Sequence, residues 1–142
     1  MMKFSLILCT LNREQVVREF LGSLAVQTDA PPFEVIVVDQ NPDDRLLPIL
    51  HDYETLFPIR RFRSAPGLSR ARNVGLDHVT GEIVAFPDDD CTYPPGILRA
   101  VSDAFDADPE MDGLSTLVTD SEGHRFGSFR TAVPQRITPR NV

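Results

Sequence analysis

The chain has 142 residues, 42% of them hydrophobic and 25% charged, with a net charge of -7 and a pI near 4.8. That length holds one domain with a core of its own, spanning residues 1–142, and the composition excludes a disordered or fibrous chain. So acidic a domain does not bind nucleic acid through a broad basic face, although a metal or a local arginine cluster can still reverse the field for an anionic ligand.

Two cysteines, Cys9 and Cys91, stand in no metal-ligand spacing and outline no disulfide framework. Cys9 ends an apolar run and reads as a small buried hydrophobe. That run is too short for a signal sequence or a membrane span, so the expected location is cytoplasmic.

Phe4–Cys9 reads as a first strand. Asn12, with Gln15 three residues on, has the look of a capping box opening a helix whose stripe is Val16, Val17, Phe20, Leu21, Leu24 and Ala25. Asp29-Ala-Pro-Pro32 stops it. Val35–Val38 is a continuous β-branched run, apolar on both faces as in the interior of a parallel sheet. A loop, Asp39-Gln-Asn-Pro-Asp-Asp44, leads to a short helix over Leu46–Tyr53. Pro58–Phe62 is a third, more polar strand, placed nearer an edge, and Arg60, Arg61 and Arg63 read as an ordinary edge-strand face.

After the turn Ser64-Ala-Pro-Gly67, a helix marked by Leu68, Ala71, Val74 and Val79 runs to about Thr80-Gly81. Glu82–Phe86 is the fourth strand. Thr92 is placed to cap the next helix, with Pro94 and Pro95 in its first turn and Ile97, Leu98, Val101, Ala104 and Phe105 as its stripe. Gly113–Thr119 reads as a fifth strand. Ser121-Glu-Gly-His124 turns it into an antiparallel partner, Arg125–Arg130, before a patternless tail. The alternation predicts an α/β fold, a three-layer sandwich on a mostly parallel sheet with an antiparallel hairpin near the C-terminus.

In open sheets of this kind ligands bind at the carboxyl ends of the strands. Thr10-Leu-Asn12, Asp39 and Asp88-Asp89-Asp90 all follow strands, so one edge gathers four carboxylates and two neutral hydrogen-bonding side chains. Adjacent carboxylates repel unless a cation is near, and hard oxygen ligands suit Mg²⁺ or Mn²⁺, which takes one or two carboxylates and completes its shell with phosphate and water. Asp88-x-Asp90 fits that pattern. A solvated acidic loop favouring the next helix N-terminus is the plainer alternative. Asp39 serves equally as a turn starter or as an acceptor for a ribose or a base N–H. Gly67-Leu-Ser-Arg-Ala-Arg-Asn-Val-Gly75 sets Arg70, Arg72 and Asn73 on one helical turn, a diphosphate neighbour or a solvated face. His51, His78 and His124 lack zinc spacing, and no phosphate-loop, dinucleotide or nucleophile-elbow pattern is present.

Four segments in this order resemble the inverting family 2 glycosyltransferases of the A-type (GT-A) fold: Ser5-Leu-Ile-Leu-Cys-Thr-Leu-Asn-Arg13, Glu34-Val-Ile-Val-Val-Asp39, the Gly67–Gly75 segment, and Gly81-Glu-Ile-Val-Ala-Phe-Pro-Asp-Asp-Asp90. The resemblance implies the nucleotide-sugar-binding part of such an enzyme, with a UDP-sugar the commonest donor and Mn²⁺ or Mg²⁺ as cofactor. It puts Thr10 and Asn12 near the nucleoside and Asp39 on the base or ribose. Asp88 and Asp89 then face the ribose and donor sugar, Asp90 binds the metal with Asp88 beside it, and Arg72-Asn73 shape the diphosphate side. The acceptor, whether glycan, lipid or small molecule, is left open, as is a peripheral position at the inner membrane face.

Two departures stand out. The family's Asp-Asp-Gly-Ser is here Asp39-Gln-Asn-Pro, and no catalytic base is assignable, Asp120 and Glu122 falling in a turn. The expectation is therefore a donor-binding part without its acceptor half, with little transfer by this chain alone. The alternatives are an inactive donor-binding module, a nucleotidyltransferase, which would want a glycine-rich, lysine-bearing loop where Thr10–Arg13 stands, and a receiver-like domain, which would want a lysine where only Lys3 exists. A truncated sheet would also leave an apolar edge that favours self-association.

Overall fold

The structure is a computed structural model that describes residues 2–126, and the chain divides into two compact units, Met1–Pro109 and Glu110–Val142. The first unit runs β1 (Phe4–Thr10), α1 (Glu14–Ala25), β2 (Phe33–Asp39), α2 (Leu47–Tyr53), β3 (Ile59–Arg63), α3 (Leu68–Leu76), β4 (Ile83–Ala85), α4 (Ile97–Ala107). Its four strands form one sheet in the order β3-β2-β1-β4, parallel throughout.

β1 and β2 take the centre because both of their faces are apolar. Alternation along a strand sends successive side chains to opposite faces. Phe4, Leu6, Leu8, Val35 and Val37 therefore meet Val17, Phe20, Leu21 and Leu24 of α1, Leu50 of α2 and Leu98 of α4. Ile7, Cys9, Ile36 and Val38 meet Ala71 of α3 on the other side, with Val74 packed against them. Helices on both faces give the expected three layers. Each of the four buried α1 side chains contributes about 1.5–3 kcal/mol by leaving water, so α1 docks through packing rather than through its propensity.

α3 lies close on β1 because Gly75 has no side chain; a Cβ there would collide with Ile7. Gly81, entering β4, meets backbone rather than a side chain, since its Cβ would lie 2.6 Å from the Phe4 carbonyl carbon and 2.7 Å from Lys3 O. The register pairs Phe4 with Phe33 through to Thr10 with Asp39, so the carboxyl ends of the two central strands are flush. β3 is an edge strand, as its polarity predicts.

Two helix starts differ from expectation. Asn12 does not cap α1: the helix opens at Glu14, with Arg13 in the cap position and no side-chain cap bond. Asn12 is drawn sideways instead. Its N–H donates to Asn41 Oδ1 at 2.7 Å, its Oδ1 accepts from Arg45 at 3.1 Å, and it adopts the left-handed φ of 56° that asparagine tolerates. Gln15 donates to Glu19 rather than back to a cap. Thr92 does not cap α4, which starts at Ile97 after Gly96. Residues before proline avoid the helical region, and Pro94 and Pro95 come in succession. Ser23 of α1 and Gln27 just beyond it pin that segment through the Tyr93 and Pro94 backbone.

β4 is shorter than the predicted Glu82–Phe86 because Pro87 offers no N–H to extend the ladder. In the second unit, β5 (Val118–Thr119) pairs antiparallel with β6 (Arg125–Phe126). Asp120 Oδ1 closes their turn by accepting from the Glu122 and His124 N–H groups at 2.9 and 2.8 Å. Of the predicted strand Gly113–Thr119 only the last two residues pair, the rest being exposed and irregular. The predicted continuation to Arg130 and the tail lie outside the described residues.

Candidate donor site

At the carboxyl ends of β1 and β2, Asp39 is wholly buried. Its Oδ1 accepts from the Asn41 N–H at 2.9 Å and from Asn41 Nδ2 at 2.7 Å. Its Oδ2 accepts from Arg61 Nε at 2.8 Å and lies 2.6 Å from Arg61 Nη2. The Asn41 amide passes this anchorage on to the Asn12 backbone. Gln40 ties in the neighbouring segments, its N–H donating to Thr10 O at 3.0 Å while its Oε1 accepts from the Gly67 N–H at 2.8 Å. The loop after β2 is thus a brace joining the β1–α1 and β3–α3 loops. Thr10, 1% exposed, has a hydroxyl with no partner among the described residues.

β4 delivers the aspartate triplet to the same edge. Asp88 is exposed, 3.7 Å from Arg72, whose guanidinium stands over the Phe86 ring at 5.5 Å. Arg13 Nη1 donates to Asp89 Oδ1 at 3.0 Å and to Asp90 Oδ2 at 2.8 Å. Each carboxylate thus has an arginine. The Cys91 thiol next in sequence is pushed up by burial first and then by the three carboxylates. Burial, opposed by Arg72 and helped by Asp89, raises the Cys9 thiol to about 11, which agrees with an inert buried cysteine.

Among the described residues no three His, Cys, Asp or Glu side chains form a ready metal cage. The donor set still fits Mg²⁺ or Mn²⁺, which needs only one or two protein carboxylates beside phosphate and water. The Arg13 nitrogen between Asp89 and Asp90 already places one positive charge between two of them.

Thr10, Asn12, Asp39, Arg72, Asp88, Asp89 and Asp90 therefore come to one edge of the sheet. Arg70 and Asn73 of α3 are exposed, and neither side chain makes a polar contact among the described residues. Arg13, Asn41, Arg45, Arg61 and Arg63 are the organising residues that sequence reading passed over. Arg61, 17% exposed, does more than line an edge-strand face, while Arg63 stays exposed at 46%. Period-two alternation turns both toward the acidic end of β2, where Arg61 also reaches Asp44 at 2.9 Å and Arg63 Nη1 donates to Asn41 O at 2.6 Å. A surface depression of about 430 Å³ between α2 and β3, lined by Leu47, Leu50, Ile59 and Arg61, touches none of the strand-end acids.

The carboxyl edge of a parallel sheet is where open α/β folds bind ligands, and comparison with known proteins shows which family this sheet belongs to. The model of the family described as Glycosyl transferase family 2 matches residues 5–139. The chain belongs to that family. It is 40% identical over 95 residues to the poly(ribitol-phosphate) beta-N-acetylglucosaminyltransferase TarS of Staphylococcus aureus, which is 63% of this chain and 16% of TarS. It is 31% identical over 124 residues to the glucosyl-dolichyl phosphate glucuronosyltransferase of Haloferax volcanii, 84% of this chain and 39% of that one.

Among solved structures, TarS 1-349 in complex with UDP-GlcNAc superposes with a TM-score of 0.66 at 35% identity, over 75% of this chain and 32% of that chain. The mannosyltransferase PcManGT of Pyrobaculum calidifontis, in complex with GDP-Man and Mn²⁺, gives 0.66 at 27% identity, over 76% and 33%. The fold is that of the A-type glycosyltransferases. The chain spans well under half the length of these relatives. No helix among the described residues is long and apolar enough to cross a membrane.

Proposed function

We propose that this chain binds the nucleoside-diphosphate-sugar donor, a UDP-sugar first, for a metal-dependent inverting glycosyl transfer. The observation that carries this reading is the convergence of Thr10, Asn12, Asp39, Arg72 and Asp88–Asp90 on one sheet edge. Its support from kinship is a family whose solved members include one with UDP-GlcNAc and one with GDP-Man and Mn²⁺.

In this reading the free Thr10 hydroxyl and Asn12 meet the nucleoside. Asp39, its oxygens held by Asn41 and Arg61, shapes the base and ribose pocket and reaches the ligand only where that brace opens. Asp88 and Asp89 face the ribose and sugar, Asp90 and Asp88 hold the cation, and Arg72 with Arg70 and Asn73 borders the diphosphate. A bound Mn²⁺ or Mg²⁺ supplies Lewis-acid stabilisation of the leaving diphosphate. The acceptor and the base that deprotonates it are not part of this proposal.

Thermal unfolding with UDP-, GDP- and dTDP-sugars, with and without Mn²⁺, tests it. One nucleotide should stabilise the chain only when metal is present, by about 2.7 kcal/mol at a hundredfold excess over Kd. Asp90→Ala should abolish that gain. No stabilisation by any donor, or one indifferent to Asp90→Ala, would overturn the reading.

A further inference from the structure

We propose that Arg13 is the internal counter-cation of the donor site: in the unliganded chain it neutralises Asp89 and Asp90, and a divalent ion gains those carboxylates only by displacing it. This deepens the donor-binding reading and rests on it.

Geometry is the first support. A single nitrogen, Arg13 Nη1, bridges carboxylates of two successive residues at 3.0 and 2.8 Å, as a cation shared between them would. The second is that nothing else among the described residues holds the guanidinium. Among the described residues Asp89 and Asp90 are its only acidic partners, and its side chain is 48% exposed, as is much of Asp90 at 54%. Asp89 is the more enclosed partner at 13%, but the guanidinium itself stays open to water, and ion pairs of so exposed a cation are weak enough for a divalent ion to outbid.

The other arginines at this edge do not have both properties. Arg61 is 17% exposed, grips a fully buried Asp39 and has Asp44 besides, so it stays. Arg72 lies 3.7 Å from Asp88, beyond hydrogen-bond reach, and leans on Phe86. Arg13 is thus the cation that both neutralises the acids and can leave. Its position one residue beyond Asn12 keeps the released charge at the mouth of the site, where an incoming diphosphate would meet it. The pairing also accounts for how three adjacent aspartates coexist before any metal arrives.

Competition and scaffolding predict opposite signs. Mn²⁺ binding to the 142-residue chain is measured by the loss of the free-ion electron paramagnetic resonance signal, without nucleotide and then with UDP. Without nucleotide, Arg13→Gln should bind Mn²⁺ about three- to tenfold more tightly than the native chain, the reciprocal of losing one or two exposed pairs. Arg13→Lys, which keeps the charge, should return to within about twofold of native. Thermal melts of both variants verify the fold.

Equal or weaker Mn²⁺ binding by Arg13→Gln overturns the proposal and leaves Arg13 as a scaffold of the loop. If the native chain takes up Mn²⁺ only with UDP and Arg13→Gln behaves identically, the exchange fails while donor binding stands. If neither protein binds Mn²⁺ even with UDP, the metal reading of the site fails and the exchange goes with it.

Discussion

The Glu34 cluster at the amino end of the parallel sheet and the aspartate triplet at its carboxyl end handle charge in opposite ways, buried Asp39 beside the triplet being braced much as Glu34 is. At the amino end, Glu34 is 4% exposed and closed in by donors: Oε1 accepts from Ser5 Oγ at 2.7 Å, from Thr80 Oγ1 at 2.6 Å and from the Thr80 N–H at 3.1 Å, and Oε2 accepts from Arg60 at 2.9 Å. The Gly81 N–H completes the cluster on Ser5 Oγ at 2.8 Å, and Arg60 also donates to His78 O. At the carboxyl end, three aspartates share two partly exposed arginines, and the Thr10 hydroxyl has no partner among the described residues. Buried charge is tolerable only when its hydrogen-bonding capacity is filled, so the first cluster is a rivet for the β1–β2–β4 edge. Exposed charge held by single contacts is cheap to rearrange, which is what a ligand site requires.

The largest effect expected of this contrast is on stability at the amino end. Glu34→Ala leaves Ser5, Thr80 and Arg60 without their acceptor and should cost about 3–4 kcal/mol in urea unfolding, since removing one partner of a buried ion pair is strongly destabilising. Arg60, partly exposed, recovers some solvation, which keeps the figure at the low end. A cost under about 1 kcal/mol would show the cluster to be looser than its geometry and would erase the distinction between the two ends.

Acid should act on the same group next. Burial works to raise the Glu34 carboxyl, but hydrogen bonds from Thr80, Ser5 and Arg60 prevail and hold it at about 2, below its ordinary 4.5. A carboxyl depressed on folding contributes stability that is complete above pH 4.5 and is lost as pH falls from there toward 2. The loss amounts to up to about 3 kcal/mol. Glu34→Gln, which mimics the protonated form, should be less stable than the native chain at neutral pH and converge with it across that window. Asp43 is also held at about 2, by its hydrogen bond from Arg45, but it is exposed. High salt screens that pair far more than Glu34, so the convergence should survive salt.

Much of this architecture is legible from the sequence, and the boundary falls at a definite place. Phe4–Cys9 and Val35–Val38 announce central parallel strands because both faces are apolar, and that alone places Thr10, Asp39 and the triplet on one edge. Local pattern does not say which charges meet. Arg13 and Asp89 are 76 residues apart, and Arg61 and Asp39 are 22 apart, so their pairing is decided by topology and register. The same holds for Asn12 and Thr92. Each has the right residue type for a helix cap, but Asn12 is claimed by Asn41 and Arg45 across the β1–β2 edge, and the Thr92 segment, with two prolines after it, lies outside α4. Tertiary partners unseen in the window outweigh a cap worth about 1 kcal/mol.

The smallest expected effect sharpens the contrast from the other side. Asp88 is 67% exposed and faces Arg72 only at 3.7 Å, so it contributes little attraction, while it adds to the repulsion among three neighbouring carboxylates. Asp88→Asn keeps the shape and removes one charge. The two terms oppose each other, and the change in unfolding free energy should stay within about 0.5 kcal/mol. In the proposed donor site the same substitution should weaken Mn²⁺- and donor-dependent stabilisation, because the charge that is neutral for folding is the one a cation would use. Glu34→Gln should do the reverse, lowering stability while leaving the ligand-induced increment intact. A destabilisation above about 1 kcal/mol from Asp88→Asn would mean that the carboxyl edge is as tightly built as the amino edge, and that its acids are held in place by the fold rather than kept available for a ligand.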